Sequence, residues 1–275
     1  MHLSSLERRV MNRISRTIHD MHNLDEMAER DVWINHVHPL SKVIVTIMYL
    51  VLVMSYEKGN LIGLCGMSLY LIILIILGEI PLRQALYRLR FVLLAVLLLG
   101  IANPIFDRQV VANIGSVAIT SGMISMITLF LKAGMAVLAS FILIQTTSIE
   151  NICYALRKLH VPKVLVTLIL LIYRYVILML KETERITQAY SLRAPGQKGI
   201  HYKSWGSLAG QLLLRSMDKA ELVYESMMLR GFTGEFHLKG NGENIIGSIV
   251  YCMLWCIVLL LLRVFPVFQI VGGIF

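Results

Sequence analysis

Long apolar runs separated by short polar links form the dominant pattern of this chain. Five runs stand out, at 43–56, 61–77, 91–106, 110–146 and 245–262. A helix needs about 20 apolar residues to cross the hydrocarbon of a bilayer, and most of these runs approach or exceed that length. The pattern therefore predicts membrane-embedded helices over 42–147 and a final membrane helix over 245–263, with a polar N-terminal segment at 1–41.

Three features modify this first picture of the membrane region. The link before the third run carries Arg83, Arg88 and Arg90, which places that link in the cytoplasm. Asn103-Pro104 interrupts the third run near its outer end. The run at 110–146 is rich in small residues and contains Lys132, which we expect to face protein or to extend towards the membrane surface. That run can cross once or fold into two shorter pieces.

From residue 148 the pattern changes to amphipathic helices. A short helix is expected from Ser148 to about Pro162, followed by one long helix over 164–193 that is apolar to 180 and charged beyond it. Basic residues flank the apolar part on both sides, so both flanks belong in the cytoplasm. We therefore predict that this helix lies along the inner membrane surface and does not cross.

A return helix is predicted over 205–230, after the polar turn at 196–199. Its apolar positions recur at helical spacing on one face, and its charged positions lie on another. The apolar face consists of Leu208, Leu212, Ala220, Val223 and Met227. The region 148–232 is thus expected to form cytoplasmic helices.

The composition supports an integral membrane protein and not a nucleic-acid-binding one. Hydrophobic residues make up 57% of the 275 positions, and the mean hydropathy is +0.70. The net charge of +9 comes from basic residues at the ends of apolar runs, where it reflects topology and not nucleic-acid binding. The first 40 residues are too charged for a secretory signal. We expect an all-α, multi-pass protein of the inner (cytoplasmic) membrane.

The motifs of common enzymes are absent from the sequence. It contains no phosphate-binding Gly-x-x-x-x-Gly-Lys-Ser/Thr loop, no Gly-x-Ser-x-Gly and no Cys/His zinc framework, so we expect neither an enzyme nor a cofactor. Cys252 and Cys256 share a helix face, as buried apolar-like residues commonly do. A rival hypothesis is a membrane metal-binding permease or enzyme acting alone. It would use the histidines and acids of the N-terminal region: His19, His22, Asp25, Glu26, His36 and His38.

The charged region contains an internal repeat that ends in arginine. Ala-Tyr-Ser-Leu-Arg at 189–193 aligns with Ser-Met-Met-Leu-Arg at 226–230, and a helix-ending step follows each arginine. A single arginine at a helix C-terminus is commonly a cap that suits the helix dipole. Arg193 and Arg230 occur in matching contexts, so we predict that the two helix ends act as a pair of docking sites.

The sequence resembles the transmembrane T component of energy-coupling factor (ECF) transporters, and most closely the cobalt-transport branch, CbiQ. The resemblance covers nearly the whole chain from about His36. It is carried by the order and spacing of five segments: His-Pro-Leu-Ser-Lys at 38–42, Leu-Arg-Lys-Leu-His-Val-Pro at 156–162, Tyr-Arg-Tyr at 173–175, the first arginine repeat at 189–193, and Met-Met-Leu-Arg-Gly-Phe-Thr-Gly at 227–234. Run 231–238 is more similar to the cobalt branch than to the vitamin branch.

The resemblance implies a mechanical role without catalysis. In that family two cytoplasmic coupling helices cross at the inner membrane face, and their arginine tips sit on two ATP-binding cassette ATPase subunits. Closure of the ATPases moves the tips, and the helices transmit the motion to a substrate-binding membrane S component, which for cobalt is CbiM-like. By resemblance, the ATPase-coupling residues are Ala189, Leu192, Arg193, Ser226, Met228, Leu229, Arg230 and Gly231.

The resemblance leaves alternatives for two features, the shape of the turn after Arg193 and the identity of the cargo. Ala194 follows Arg193 where the family commonly has glycine, so the turn there is expected to have a different shape. The cargo is selected by the partner membrane subunit. Cobalt is therefore the expected cargo, with nickel or a vitamin as alternatives.

Overall fold

Helices account for most of the chain in the computed structural model. The structure describes residues 27, 30, 32–57, 61–80, 82–106, 110–114, 117–193, 200–236 and 245–264. After a single 3-10 turn at Trp33–His36, the elements are α1 (Pro39–Met54), α2 (Leu61–Leu77), α3 (Leu82–Gly100), α4 (Ala102–Phe106), β1 (Val110–Ile114), β2 (Val117–Thr120), α5 (Ser121–Thr146), α6 (Ile149–Lys158), α7 (Lys163–Arg193), α8 (Tyr202–Leu229) and α9 (Ile245–Val264). The predicted helical membrane fold is confirmed, and it contains one pair of short strands besides the helices.

The described chain divides into two compact units. One contains Met27–Ile152 and Gly240–Phe275, and we call it the membrane unit. The other contains Cys153–Lys239, and we call it the arm unit.

The membrane unit is organised around an aromatic cluster shared by three helices. The Tyr49 ring of α1 lies 4.7 Å from the Tyr70 ring of α2, and Tyr70 lies 4.7 Å from the edge-on Trp255 ring of α9. All three side chains are buried. Aromatic pairs of this kind add directional contacts to the packing of their side chains, so they define how α1, α2 and α9 meet.

Two lysines in the membrane unit donate to the C-terminal ends of helices. The buried Lys42 Nζ, in the first turn of α1, donates to the Thr146 carbonyl at the end of α5 over 2.8 Å. Lys132 Nζ, on α5, donates to the carbonyls of Met54 and Tyr56 at the end of α1. The last carbonyls of a helix lack intrahelical partners and carry partial negative charge, so an ammonium group satisfies both needs. Lys132 faces protein, as the sequence predicted.

The apolar run at 110–146 folds into two different kinds of structure. Val110–Ile114 and Val117–Thr120 pair as the antiparallel strands β1 and β2, and a single long helix, α5, follows. Neither alternative from the sequence, one crossing or two shorter pieces, included strands. Pairing between the two strands satisfies backbone groups that a helix would otherwise satisfy within itself.

The arginine-rich link before the third run is helical and is not a loop. The helix α3 begins at Leu82, so Arg83, Arg88 and Arg90 lie on its first turns and not between helices. The guanidinium of Arg90 lies over the rings of Tyr87 and Phe91, at 5.0 and 5.1 Å from their centroids. Such stacking explains how a basic residue remains on a helix that continues into an apolar run. The helix breaks at Ile101, two residues before the predicted interruption at Asn103-Pro104, and those two residues lie within α4. A proline ring clashes with the carbonyl of the residue four positions earlier, which is Gly100 here.

Several helices have the length and composition of membrane spans. Within the described ranges, three stretches are long and apolar enough to cross a membrane: Ser121–Thr146, Lys163–Arg193 and Ile246–Val264. Three shorter apolar helices cover Pro39–Met54, Gly63–Leu77 and Leu89–Pro104. The sequence predicts about five to six membrane helices besides the coupling helices. Without α7, two of the long helices and the three shorter ones remain as candidates for them. The placement of α7 along the membrane surface stays a prediction.

The arm unit is built on two long helices that run antiparallel. The Tyr190 hydroxyl, near the end of α7, hydrogen-bonds to the Ser204 hydroxyl near the start of α8 at 3.4 Å. At the opposite end, the Thr167 hydroxyl of α7 donates to the Gly234 carbonyl beyond α8 at 3.5 Å. The apolar face predicted for α8 turns towards α7, because Ala220, Val223 and Met227 line a groove between the two helices.

Candidate partner-docking site

The first arginine repeat lies at the exposed end of α7. Arg193 is the last residue of the helix and is exposed, and the side chain of Leu192 before it is 66% exposed. Ala189, one turn earlier, is also exposed. Residues 194–199, including the altered turn at Ala194, lie outside the described residues.

The second arginine repeat lies at the end of α8, where the chain makes a defined turn. Arg230 is the C-cap residue, and Gly231 follows in the left-handed region with φ +76°. The Gly231 amide donates to the Met228 carbonyl at 3.0 Å, and the Phe232 amide donates to the Met227 carbonyl at 3.0 Å. This pair of bonds is the Schellman arrangement, and it satisfies helix-end carbonyls with a glycine at the left-handed position. The sequence predicts that a glycine ends this helix, and Gly231 does so by adopting the left-handed conformation.

The remaining predicted residues of the second tip are all accessible. Leu229 is 90% exposed, and Met228, Arg230 and Gly231 are exposed as well. Ser226 is exposed, and its hydroxyl donates to the Leu222 carbonyl at 2.7 Å. Met228 and Leu229 together place exposed apolar surface beside Arg230.

The two tips lie at opposite ends of the arm unit. Since α7 and α8 run antiparallel, Arg193 lies at the end where α8 begins, and Arg230 lies at the end where α7 begins. A helix rises 1.5 Å per residue, so the 28 residues of α8 separate the tips by roughly 40 Å. The structure does not bring the two predicted arginine motifs together.

Neither tip arginine is neutralised within the described part of the chain. The described ion pairs involve other arginines, and Arg193 and Arg230 have no carboxylate partner among them. A guanidinium presents five donors in a planar fork that suits carboxylates and helix-end carbonyls. Each tip therefore offers an exposed apolar residue beside a cation that has no ion-pair partner among the described residues.

A polar cavity of about 770 Å³ lies beside the Arg193 tip, between α7 and the first turns of α8. Its basic lining residues are Arg185, Arg193, Lys203 and Arg215. The main acid nearby is Glu182, which pairs with Arg215 and, at 3.6 Å, with Arg185. Glu182 lies beyond the apolar stretch 164–180, and the hydrogen bond from the Arg215 guanidinium holds the pKa of its carboxyl below the ordinary value. The cavity keeps an excess of positive charge.

An ion cluster at the other end of the arm unit was not assigned a role from sequence. The Glu235 carboxylate accepts a hydrogen bond from Arg157 at 2.9 Å and lies 3.0 Å from Lys163 Nζ. Arg157 also donates to the Phe236 carbonyl at 2.9 Å. Glu235 belongs to run 231–238 and Arg157 to segment 156–162, which both carry the family resemblance. Because the two residues are 78 positions apart, the sequence gives no local sign of this contact.

An apolar groove separates the two long helices between these ends. It has a volume of about 590 Å³, and Leu168, Ile172 and Tyr175 line its α7 side. On the α8 side it is lined by Val223 and Met227. Arg174, in the Tyr-Arg-Tyr segment, is exposed on α7, so it needs no buried partner.

The metal-binding hypothesis finds no cluster in the described part of the chain. No group of three or more histidines, cysteines or acids that could hold a metal ion occurs among the described residues. His38 instead accepts a hydrogen bond from the Leu40 amide through Nδ1 at the start of α1, and His36 is exposed. The N-terminal residues His19, His22, Asp25 and Glu26 lie outside the described residues.

Relatives of this chain include uncharacterized proteins and proteins named as cobalt transport proteins. It is 27% identical over 236 residues to an uncharacterized protein of Methanocaldococcus jannaschii, an alignment that covers 82% of this chain and 80% of that protein. A second uncharacterized protein of the same organism is 34% identical over 46% of this chain, and the alignment spans 44% of that protein. The cobalt transport protein CbiQ of Salmonella typhimurium is 26% identical over 43% of this chain and 53% of its own length.

One further relative combines two proteins in a single chain. The putative fused cobalt transport protein CbiMQ of Methanocorpusculum labreanum is 30% identical over 118 residues, which are 42% of this chain and 20% of the relative. The family model of CbiQ, described as cobalt transport protein, matches residues 30–239. This match covers α1 through α8 and includes both arginine tips. The chain therefore belongs to the CbiQ family of cobalt transport proteins, the T components of ECF transporters.

Proposed function

We propose that this protein is the coupling subunit of an ECF-type importer, in which Arg193 and Arg230 each dock on one of two ATP-binding cassette ATPase subunits. The observation that carries this proposal is the pair of exposed tips at opposite ends of the arm unit. Each tip presents an exposed leucine followed by an arginine without an ion-pair partner among the described residues. ATP hydrolysis belongs to the partners, because the chain carries no phosphate-binding loop.

The separation of the tips favours two partner subunits over one. Roughly 40 Å lies between the ends of α8, a distance comparable to the width of a small domain. Two ATPase subunits that approach each other on binding ATP would then change the relative positions of Arg193 and Arg230. The antiparallel pair α7 and α8 would carry that movement towards the membrane.

Cobalt is the proposed cargo, and a CbiM-like membrane protein is the proposed substrate-binding partner. The family description supports the cargo, and the fused CbiMQ relative supports the partner, because fusion joins two functions in one chain. Nickel or a vitamin would imply the same coupling mechanism with a different membrane partner.

Charge reversal at the tips tests the docking role. We expect Arg193→Glu and Arg230→Glu each to abolish co-purification with the ATPase subunits, because the tip then repels the carboxylates or helix-end carbonyls that hold an arginine. Membrane insertion should be unchanged. The matched control is Lys181→Glu, which makes the same change of charge at an exposed position of α7 twelve residues before Arg193. Retention of both ATPases by both tip variants would contradict the docking role.

Metal content separates the coupling role from a permease that acts alone. A coupling subunit is expected to purify without stoichiometric cobalt, and the transported metal should bind only when the membrane partner is present. Stoichiometric cobalt in the isolated chain would favour the permease hypothesis and the N-terminal histidines.

A further inference from the structure

We infer that Glu235, held by Arg157 and Lys163, is a positioning residue that passes displacement of the Arg230 tip directly to the junction of α6 and α7. This inference rests on the proposed coupling function. In the proposed function, movement of the tip travels along α8. A second route would run through the side chains of Glu235, Arg157 and Lys163, which we call the Glu235 ion cluster.

The chain beyond Arg230 returns to the start of α7 through a short segment with two special backbone positions. Gly231 and Gly234 both have positive φ, at +76° and +92°, so the segment 231–236 turns sharply after α8 ends. The rings of Phe232 and Phe236 contact each other, with centroids 5.2 Å apart. The segment therefore has a defined path.

Three residues of the α6–α7 region bind this returning segment. Arg157, in the last turn of α6, donates one nitrogen to Glu235 and another to the Phe236 carbonyl, both over 2.9 Å. Lys163, the first residue of α7, lies 3.0 Å from the same carboxylate oxygen. Thr167, one turn later, donates to the Gly234 carbonyl. Side-chain and backbone contacts together fix residues 234–236 against both helices.

The ion cluster is better placed for a mechanical role than an ordinary surface pair. Its Glu235 side chain is only 23% exposed and that of Arg157 30%, so both partners are partly withdrawn from water. A two-point attachment by one guanidinium restrains orientation as well as distance. Exposed ion pairs with one flexible contact contribute little, whereas this carboxylate is held from two helices.

The Glu235 ion cluster lies close in sequence to the Arg230 tip. Glu235 follows Arg230 by five residues, so an extended chain between them spans at most about 17 Å. A force on the Arg230 tip reaches Arg157 and Lys163 over this short path. The route through α8 and back along α7 is several times longer. Because α6 follows α5 directly in the chain, the junction is also close in sequence to the membrane unit.

The experiment uses the complete complex of this chain with its ATPases and membrane partner, reconstituted in liposomes, and measures cargo transported per ATP hydrolysed. We expect Glu235→Gln and Arg157→Gln each to assemble normally and to hydrolyse ATP. Transport per ATP should fall about fivefold, within the range that coupling residues show. The double variant should lose less than the sum of the two single losses, since both changes remove the shared Arg157–Glu235 bond. Glu225→Gln on the exposed face of α8 is the matched control and should transport normally.

Each alternative outcome has a separate meaning. Unchanged transport per ATP in both single variants, or additive losses in the double variant, would overturn the inference. Loss of ATPase association in these variants, or failure of both to insert, would show a docking or purely structural role and would also overturn it. Retention of both ATPases by both Arg193→Glu and Arg230→Glu would instead refute the proposed function, so the two failures are distinguishable.

Discussion

Glu182 of α7 and Arg215 of α8 form an ion pair between the two arginine tips, about midway along the antiparallel helices. The carboxylate side chain is only 11% exposed, whereas that of Arg215 is 54% exposed. The pair therefore fastens the two helices where the polar cavity beside Arg193 begins.

The Glu182 pair predicts how the arm unit responds to acid. Arg215 holds the pKa of the Glu182 carboxyl below its ordinary value of 4.5, so the contribution of the pair to stability is fully present above about pH 4.5. It is lost as the pH falls through the lowered pKa. Hydrogen exchange of α8 amides near Arg215, corrected for intrinsic rates, should stay constant from pH 8 to pH 5 and rise several-fold below pH 4.5. Glu182→Gln should raise exchange at neutral pH and remove this part of the pH dependence. An identical acid response in the Gln variant would contradict the assignment.

Two glycines of the α8 region should respond in opposite ways to alanine. Gly231 has φ +76°, so Gly231→Ala strains the turn after Arg230 by about 1–2 kcal/mol and should weaken ATPase association by changing the direction of the tip. Gly210 lies within α8 with open space around the position of a Cβ, so Gly210→Ala should stabilise the helix by about 0.5–1 kcal/mol. Thermal unfolding and co-purification check both effects. Equal unfolding temperatures and equal co-purification with the ATPases in the two variants would contradict the role of the left-handed turn.

Lys132 should be structural and should not belong to a transport pathway. Lys132→Met removes the donor to the Met54 and Tyr56 carbonyls at the end of α1 and is expected to destabilise the membrane unit by about 1–2 kcal/mol. Cargo transport per assembled complex should remain normal. Lys132→Arg keeps donors at this position and should lose less stability. Thermal unfolding in detergent and transport in liposomes are the measurements, and loss of transport at normal yield would point to a pathway role.

The helices followed from local sequence patterns. The run at 61–77 matches α2 at both bounds, and the long helix predicted over 164–193 matches α7 within one residue. Such agreement is expected where a periodic or uninterrupted apolar pattern ends at a proline, a glycine or a charged residue. The two strands, Val110–Ile114 and Val117–Thr120, were missed because their apolar content was interpreted as membrane helix. The available signal was two short stretches rich in Val, Ile and Thr on either side of Gly115.

The sequence by itself determined the membrane class, the long helices and the arginine repeat at their ends, because hydropathy, helical periodicity and helix-ending residues act over a few turns. The tertiary structure decided that the two tips lie at opposite ends of an antiparallel pair. It also decided which charges meet, because Glu182 pairs with Arg215 across 33 positions and Glu235 with Arg157 across 78. No local pattern encodes such pairings. They arise only when apolar burial brings distant helices together, and the charged side chains left at their edges then select partners within reach.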